Sequence, residues 1–322
     1  VFPFSEYSTT ASSIDRSAVP KAGEAPEAQF PKFERKKLDN GMEVIFAERH
    51  SIPVVQCRLL LDAGYASDQF ATPGVSSLAM NMLDEGTQQR DALQISEELA
   101  LLGASIGSGS DLDVSSVSLN TLKATLDDAL AIYADVILHP SFPEKEFIRL
   151  QKEQLAAIQR EKVTPVPMAL RVFPKLLFGE GHAYSNPLTG SGTEQSISNM
   201  TVADLQKFHQ TWFKPNHATL IVVGDTTLDE FISKIEKAFS GWEPGETPTK
   251  NIGQVAAPQQ PVIYLMDRPD SQQSFILAGQ IAPPKANPNE IAIETMSYTL
   301  GESFSSRINM NLREDKHWTY GA

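Results

Sequence analysis

Arg313 and Tyr320 stand seven residues apart near the end of the chain, and a guanidinium and a phenol can both donate hydrogen bonds to peptide carbonyls. The same two residues also fit a plainer arrangement, an arginine at its helix end and a packed tyrosine. Six histidines invite a search for a metal site. His209 and His217 are separated by Pro215, His139 precedes a proline, and His182 lies in the loop Gly179-Glu-Gly-His-Ala-Tyr184. None has a second histidine three to five residues away, so no local zinc pair is written into their spacing. The single cysteine, Cys57, sits in an alternating apolar run, which excludes a disulfide within the chain and a cysteine-built metal centre. Adjacent carboxylates such as Asp127-Asp128 and Glu97-Glu98 point to different sides of a helix and read as solvated faces. No phosphate loop or Gly-x-Ser-x-Gly nucleophile turn occurs, and Asn199-Met-Thr201 reads as a helix cap before it reads as a glycosylation acceptor.

Patterned elements surround these residues. Phe33 to Leu38 and Met42 to Glu48 flank Asn40-Gly41, a strong signal for a tight hairpin, and Pro53 to Leu61 gives a third strand. Thr72 to Leu83 has helical spacing, and Gln94 to Leu102 is a second helix closed by Gly103. Ala104 to Gly109 and Asp113 to Leu119 form a further antiparallel pair. Helices are predicted over 123–138, 144–161 and 167–178, bounded by Pro140, Pro143 and Pro165. Thr201, with Asp204 three residues on, opens another helix; His217 to Gly224 is a buried strand and Leu228 to Phe239 a closing helix. Residues 1–30, rich in Ser, Thr, Pro, Ala and Glu, form a linker or arm, and the first lobe covers residues 31–243. The proline- and glycine-bearing segment 244–260 links it to a second lobe over 261–322. There Val262 to Met266 and Ser274 to Gln280 are predicted strands and Asn289 to Leu300 a helix. The repeat of the first lobe's opening suggests a homologous second lobe, cut short at Ala322. Phe304, Ile308 and Leu312 recur every four residues and predict a buried helical face ending near Arg313. Strand pairs mixed with paired long helices define an α+β fold of antiparallel sheet packed with helices.

The 322 residues are 41% hydrophobic, enough for two lobes with cores of their own, and carry a net charge of −13. An acidic chain without a basic stripe is a poor partner for nucleic acid or anionic lipid. No run approaches the ~18 apolar residues of a membrane span, and no basic-then-apolar signal is found at the start. Since the chain opens on Val1, a longer parent with any targeting signal upstream is expected.

Several segments together resemble the pitrilysin and insulinase family of zinc peptidases, in the branch with mitochondrial processing peptidase and bacterial two-domain relatives. They are Leu38-Asp-Asn-Gly-Met-Glu-Val44, Gly74 to Thr87, Leu102-Gly-Ala104, His139-Pro-Ser-Phe142, Phe213-Lys-Pro-Asn216 and Val222-Val-Gly-Asp225. The family binds zinc through the two histidines of HxxEH and a glutamate on a later helix, with the glutamate of HxxEH as general base. The resemblance places those histidines at Ser77 and Asn81, the base at Met80 and the late glutamate at Ala156 or Ala157. A thioether and a carboxamide are not competent zinc ligands beside water, and no side chain there could deprotonate a metal-bound water.

The resemblance therefore implies a non-catalytic half, inactive alone and without a metal of its own, with zinc expected in an HxxEH-bearing partner half or subunit. Active members pair such halves around the substrate like two shells. The second half contributes an arginine and a tyrosine from a segment resembling Leu312-Arg-Glu-x-x-x-x-x-Tyr320. Arg313 would then hold a carbonyl of an unstructured peptide, and Tyr320 would donate to the oxygen that becomes negative in the tetrahedral intermediate. Bacterial relatives imply the periplasm, as a tandem protein or a heterodimer, and the linker-like first 30 residues favour the tandem. The competing expectations are a structural scaffold subunit, which would need neither Arg313 nor Tyr320, and a peptide-binding or chaperone-like module without proteolysis.

Overall fold

Asn40 and Gly41 make the turn that their sequence demands. Gly41 has φ +91°, a left-handed value, and a Cβ on it would lie 2.8 Å from the Cβ of Asn216. The turn joins β1 (Glu34–Lys37) to β2 (Glu43–Glu48) as an antiparallel hairpin, with Glu34 opposite Phe46 and Lys37 opposite Glu43. The computed structural model describes residues 23–24, 27, 30–256 and 260–321; the arm expected over 1–30 lies almost wholly outside them.

Four further strands complete one sheet: β3 (Val54–Leu61), β4 (Ser105–Ser110), β5 (Ser115–Leu122) and β6 (Ala218–Gly224). Their order is β1-β2-β6-β3-β5-β4. The sheet is mixed rather than wholly antiparallel, because β6 runs parallel to β2 and antiparallel to β3. The reason is its apolar sequence, Ala-Thr-Leu-Ile-Val-Val-Gly. Such a strand is best placed inside a sheet, and β6 enters between β2 and β3, which follow one another in sequence.

Burial alternates along the inner strands. Val55, Cys57, Leu59 and Leu61 of β3 are buried, while Gln56 and Arg58 face solvent. In β5, Val117, Leu119 and Thr121 are buried and Asn120 is exposed. One face is thus covered by helices and the other is more open, with Gln56, Arg58 and Asn120 among part-exposed Ile45, Leu60 and Ile221, which is the pattern of a two-layer α+β lobe.

The covering helices are α1 (Val75–Asn81), α2 (Ala92–Leu101), α3 (Leu126–Leu138), α4 (Glu144–Val163) and α5 (Pro165–Phe178). They are followed by α6 (Glu194–Asn199), α7 (Val202–Trp212) and α8 (Leu228–Ala238). Asp91 and Gln94 cap α2 reciprocally, and Thr201 with Asp204 does the same for α7, as its sequence predicts. Tyr133 of α3 is fully buried. Its hydroxyl donates to the Val117 carbonyl at 2.6 Å and accepts from the Leu59 N–H at 3.2 Å, which ties the helix layer to two strands at one register pair.

The segment expected as a linker over 244–260 is fastened to the first lobe in its opening part. Trp242 is buried and donates Nε1–H to the Phe213 carbonyl at 2.9 Å, and Gly245 exchanges two hydrogen bonds with the Asn216 side chain. Lys250 reaches Asp62, and Asn251 donates to the Gln69 side chain and the Gly181 carbonyl and accepts from the Ala183 N–H. Further on, Val262 to Met266 and Ser274 to Gln280 do not form strands, since no described strand pairs with them. The expected helix forms as α9 (Glu290–Ser297) and widens into a π turn over Tyr298–Glu302. A last helical stretch, α10 (Arg307–Asn309), continues as a π turn over Met310–Asp315. Its apolar face is not buried as predicted: Phe304 is 63% exposed and Ile308 38%, since only the 298–302 turn and the Arg313 side chain lie against it among the described residues.

The Tyr133 hydroxyl gives the first test. Tyr133→Phe leaves the Leu59 N–H and Val117 C=O without that partner in the core, and a loss of about 1–3 kcal/mol in urea unfolding is expected. Unchanged stability would show that the two strands satisfy these groups without it.

Candidate functional site

Helix α1 begins at Gly74, whose φ of +92° turns the chain into the helix, and a Cβ there would lie 2.7 Å from Ile197 Cδ1. Asp68 caps it from six residues upstream. Its carboxylate accepts from the Gly74 N–H at 2.6 Å and the Ser76 N–H at 3.1 Å, two of the donors that a helix start leaves without partners. At its other end the Met80 carbonyl accepts from the Ser108 hydroxyl at 2.7 Å, which joins α1 to the edge strand β4.

The positions at which the resemblance would place the zinc ligands and the base have separate environments. Ser77 is half-buried and donates to the Gly190 carbonyl at 2.9 Å. Met80 is fully buried in the core, and Asn81 is exposed. On α4, Ala157 is half-buried and Ala156 exposed, and neither carries a donor atom. A hydroxyl committed to a carbonyl, a core thioether, a solvated amide and a methyl group do not fit a zinc ion, which requires deprotonated or neutral N, O or S ligands converging on one point. Among the described residues no group of three His, Cys, Asp or Glu side chains is arranged to hold a metal.

The histidines are used locally. His209 donates Nε2–H to the Ile137 carbonyl at 2.7 Å and packs on Phe213, and burial lowers its pKa to about 4. His182 stacks on Phe178 with ring centres 4.9 Å apart, and its Nδ1 accepts from the Tyr184 N–H. His50 meets Asp225 at 2.6 Å on the surface. Cys57 is buried in β3, and burial alone pushes its thiol up to about 12.

Sequence reasoning missed the most heavily bonded part of this site, the loop Leu188-Thr-Gly-Ser-Gly192. Pro174, inside α5, has no N–H to give the Leu170 carbonyl, and the Leu188 N–H takes its place at 3.1 Å. The Leu188 carbonyl accepts from the Tyr65 hydroxyl at 3.0 Å. Three consecutive carbonyls are then taken by three helices: Gly190 by Ser77 of α1, Ser191 by Gln154 of α4 at 2.9 Å, and Gly192 by Arg171 of α5 at 2.7 Å. Glu161 of α4 pairs with Arg171 at 2.5 Å and accepts from the Ser191 and Thr189 hydroxyls. The sequence signals that could have found it are a proline within an amphipathic helix and the Gly-Ser-Gly that follows.

Arg313 and Tyr320 are placed differently. The Arg313 guanidinium lies over the Phe304 ring, 4.7 Å from its centre, and its backbone carbonyl accepts from His317 Nδ1–H at 3.0 Å. Tyr320 is 89% exposed. No hydrogen bond or ring contact joins the two among the described residues.

Comparison with known proteins bears on the whole chain. The sequence model described as insulinase, peptidase family M16, matches residues 43–173, and that described as the peptidase M16 inactive domain matches residues 199–322. Zinc protease PqqE of Helicobacter pylori is 21% identical over 302 residues, covering 90% of this chain and 66% of that protein. The chain spans about two thirds of the length of the curated relatives it matches. The crystal structure of a peptidase M16 inactive domain from Pseudomonas fluorescens has a TM-score of 0.79 at 25% identity, covering 90% of this chain and 69% of that one. The periplasmic protease PqqL from Escherichia coli shares the fold, with a TM-score of 0.61 at 19% identity over 72% of this chain and 26% of that one.

The Asp68 cap yields a pH-dependent prediction. Burial raises its pKa from 3.8 to about 7, against the opposing pull of the Gly74 and Ser76 N–H groups. The folded state therefore binds the Asp68 proton more tightly than the unfolded one. The stability so gained is full below the unfolded pKa and is lost as pH rises through the folded value. Asp68→Asn keeps an oxygen acceptor without the charge. Relative to the parent, its stability should climb between about pH 4 and pH 7 by up to a few kcal/mol, while the His209 titration cancels between the two proteins. A difference that stays flat across this range, measured by thermal unfolding, would mean that Asp68 titrates normally.

Proposed function

This chain belongs to the insulinase family of peptidases, M16, as an inactive domain related to zinc proteases, and we propose that it is the non-catalytic, substrate-binding half of a zinc endopeptidase. The observation that carries the proposal is the state of α1. The helix is capped and its apolar side is buried, yet none of Ser77, Met80 and Asn81 on it, nor Ala157 on α4, holds a group that could bind zinc or act on water. Loss of the chemistry with retention of the frame is expected where a homologous partner supplies the catalytic machinery.

In this reading the half closes over a homologous, HxxEH-bearing half, in which zinc supplies Lewis-acid activation of water when bound. PqqL, a protease whose first half has been solved separately, is built of halves, which supports reading this chain as one part of a larger enzyme. Here Arg313 holds a backbone carbonyl of an unstructured peptide, for which its fork of donors is suited. Tyr320 donates to the oxygen that gains negative charge. The exposure of Tyr320 supports this role, since its hydroxyl is free to turn toward a bound chain. The more open face of the sheet, where Gln56, Arg58 and Asn120 stand among apolar Leu122 and Val223, offers a wall for an unfolded peptide. The periplasm is the proposed compartment, as PqqL is a periplasmic protease. Among the described residues no helix is long and apolar enough to cross a membrane.

The test is to mix the full-length protein with its HxxEH-bearing partner and zinc and to follow cleavage of an unstructured peptide. Tyr320→Phe should lower kcat by about 10²–10³-fold, equivalent to ~2.7–4 kcal/mol of transition-state stabilisation. Arg313→Ala should act mainly on KM. Unchanged turnover in both variants would leave the scaffold function as the better account.

A further inference from the structure

We infer that α1 is closed to a metal by the 188–192 loop as well as by its own substitutions, so that restoring the four lost groups does not restore a zinc site while the loop stays clamped. The inference rests on the reading of Ser77, Met80, Asn81 and Ala157 as the vacated positions.

Ser77 is the critical place. Its hydroxyl is 2.9 Å from the Gly190 carbonyl, and a Cβ added to Gly190 would lie only 2.8 Å from the same oxygen. The loop backbone therefore already touches the shortest polar side chain available. An imidazole built along the same direction would run into it. The loop has little freedom to retreat. Gly192 has φ +73°, and a Cβ there would meet the Pro73 carbonyl at 2.3 Å, so the backbone is pressed against the start of α1 on that side as well. The Leu188 N–H is fixed to Leu170, and the Ser191 and Gly192 carbonyls are fixed to Gln154 and Arg171. The Glu161–Arg171 pair, whose side chains are 16% and 13% exposed, binds the Thr189 and Ser191 hydroxyls as well. Moving the loop would leave these groups without partners in a poorly hydrated place. Met80 adds a second obstacle, because its side chain is fully buried and a glutamate there would place a carboxylate in the core.

Two full-chain variants and one single substitution test this. The first variant carries Ser77→His, Met80→Glu, Asn81→His and Ala157→Glu; the second adds Glu161→Gln and Arg171→Met to release the loop. Zinc uptake is measured by competition with a chromophoric chelator, and folding is checked by circular dichroism. The first should bind zinc at least about tenfold more weakly than the second. Equal affinity, or no uptake by either, overturns the role of the loop. The single variant Ser77→His is compared with the parent by amide hydrogen exchange and needs neither metal nor the other changes. Exchange over residues 188–192 should speed up by about tenfold or more if the imidazole displaces the loop. Unchanged protection would show that a histidine fits beside Gly190, which also overturns the inference. Stoichiometric zinc on the unaltered chain would instead sink the functional reading itself, so the two failures are distinguishable.

Discussion

Arg171 and Glu161 face one another at 2.5 Å with little exposure, and the helical layer of this lobe is organised around that contact. An ion pair withdrawn from water is stabilising only if its remaining donors and acceptors are satisfied. Here the surplus capacity is spent on a loop: Arg171 takes the Gly192 carbonyl and the Ser191 hydroxyl, and Glu161 takes the hydroxyls of Thr189 and Ser191. Because the pair spans α4 and α5, it fixes the relation of those helices. Because the loop it holds also receives Ser77, it fixes α1 against them. Pro174 contributes through an absence, since the carbonyl it cannot satisfy within α5 becomes the anchor for Leu188. The glycines at 190 and 192 are required for the same reason, as a side chain on either would press on Ser77 and Tyr65 or on Pro73.

Local chemistry made much of the lobe legible in advance. The Asn40-Gly41 turn, the limits set by Pro143 and Pro165, and the reciprocal cap of Thr201 and Asp204 each depend on residues within a few positions of one another. The placement of β6 depends on an event nearly the whole lobe long: Thr219 of β6 pairs with Glu43 of β2 and with Leu60 of β3. Periodicity can say that Ala218–Gly224 is a buried strand, but not which gap in the sheet it fills. The predicted strands at 262–266 and 274–280 show the converse limit, since β-propensity describes how a residue suits a pleated surface and supplies no neighbour to pair with.

The candidate site divides in the same way. The types at positions 77, 80, 81 and 157 could be read directly, because the absence of imidazole and carboxylate is a property of composition at a spacing. The contacts around these positions could not be read, because their bonds join residues far apart: Ser77 to Gly190, Gln154 to Ser191, Tyr65 to Leu188. Side-chain donors to backbone carbonyls leave no periodic trace in a sequence. Asp68 is an intermediate case. An acid a few residues ahead of a helix start is a familiar capping signal, but its complete burial, which raises its pKa, comes from the tertiary fold.

A helix that carries no zinc ligand but is capped at Asp68, pinned to β4 through Ser108 and seated against α4 and α7 has a mechanical role in the lobe. Removing it would take Val75, Leu78 and Met80, all buried, out of the core and leave the Ser108 hydroxyl of the edge strand without its partner. Its persistence is therefore no sign of catalysis. The reverse holds at the other end of the chain. Tyr320 is almost fully exposed and supports no packing among the described residues, and Arg313 keeps its charged group over an aromatic ring that is itself mostly in solvent. Residues that the fold needs explain themselves by the fold. Residues that it does not need are where a partner and a substrate have to be sought, and in this chain the best-equipped of them are a guanidinium and a phenol suited to a peptide backbone.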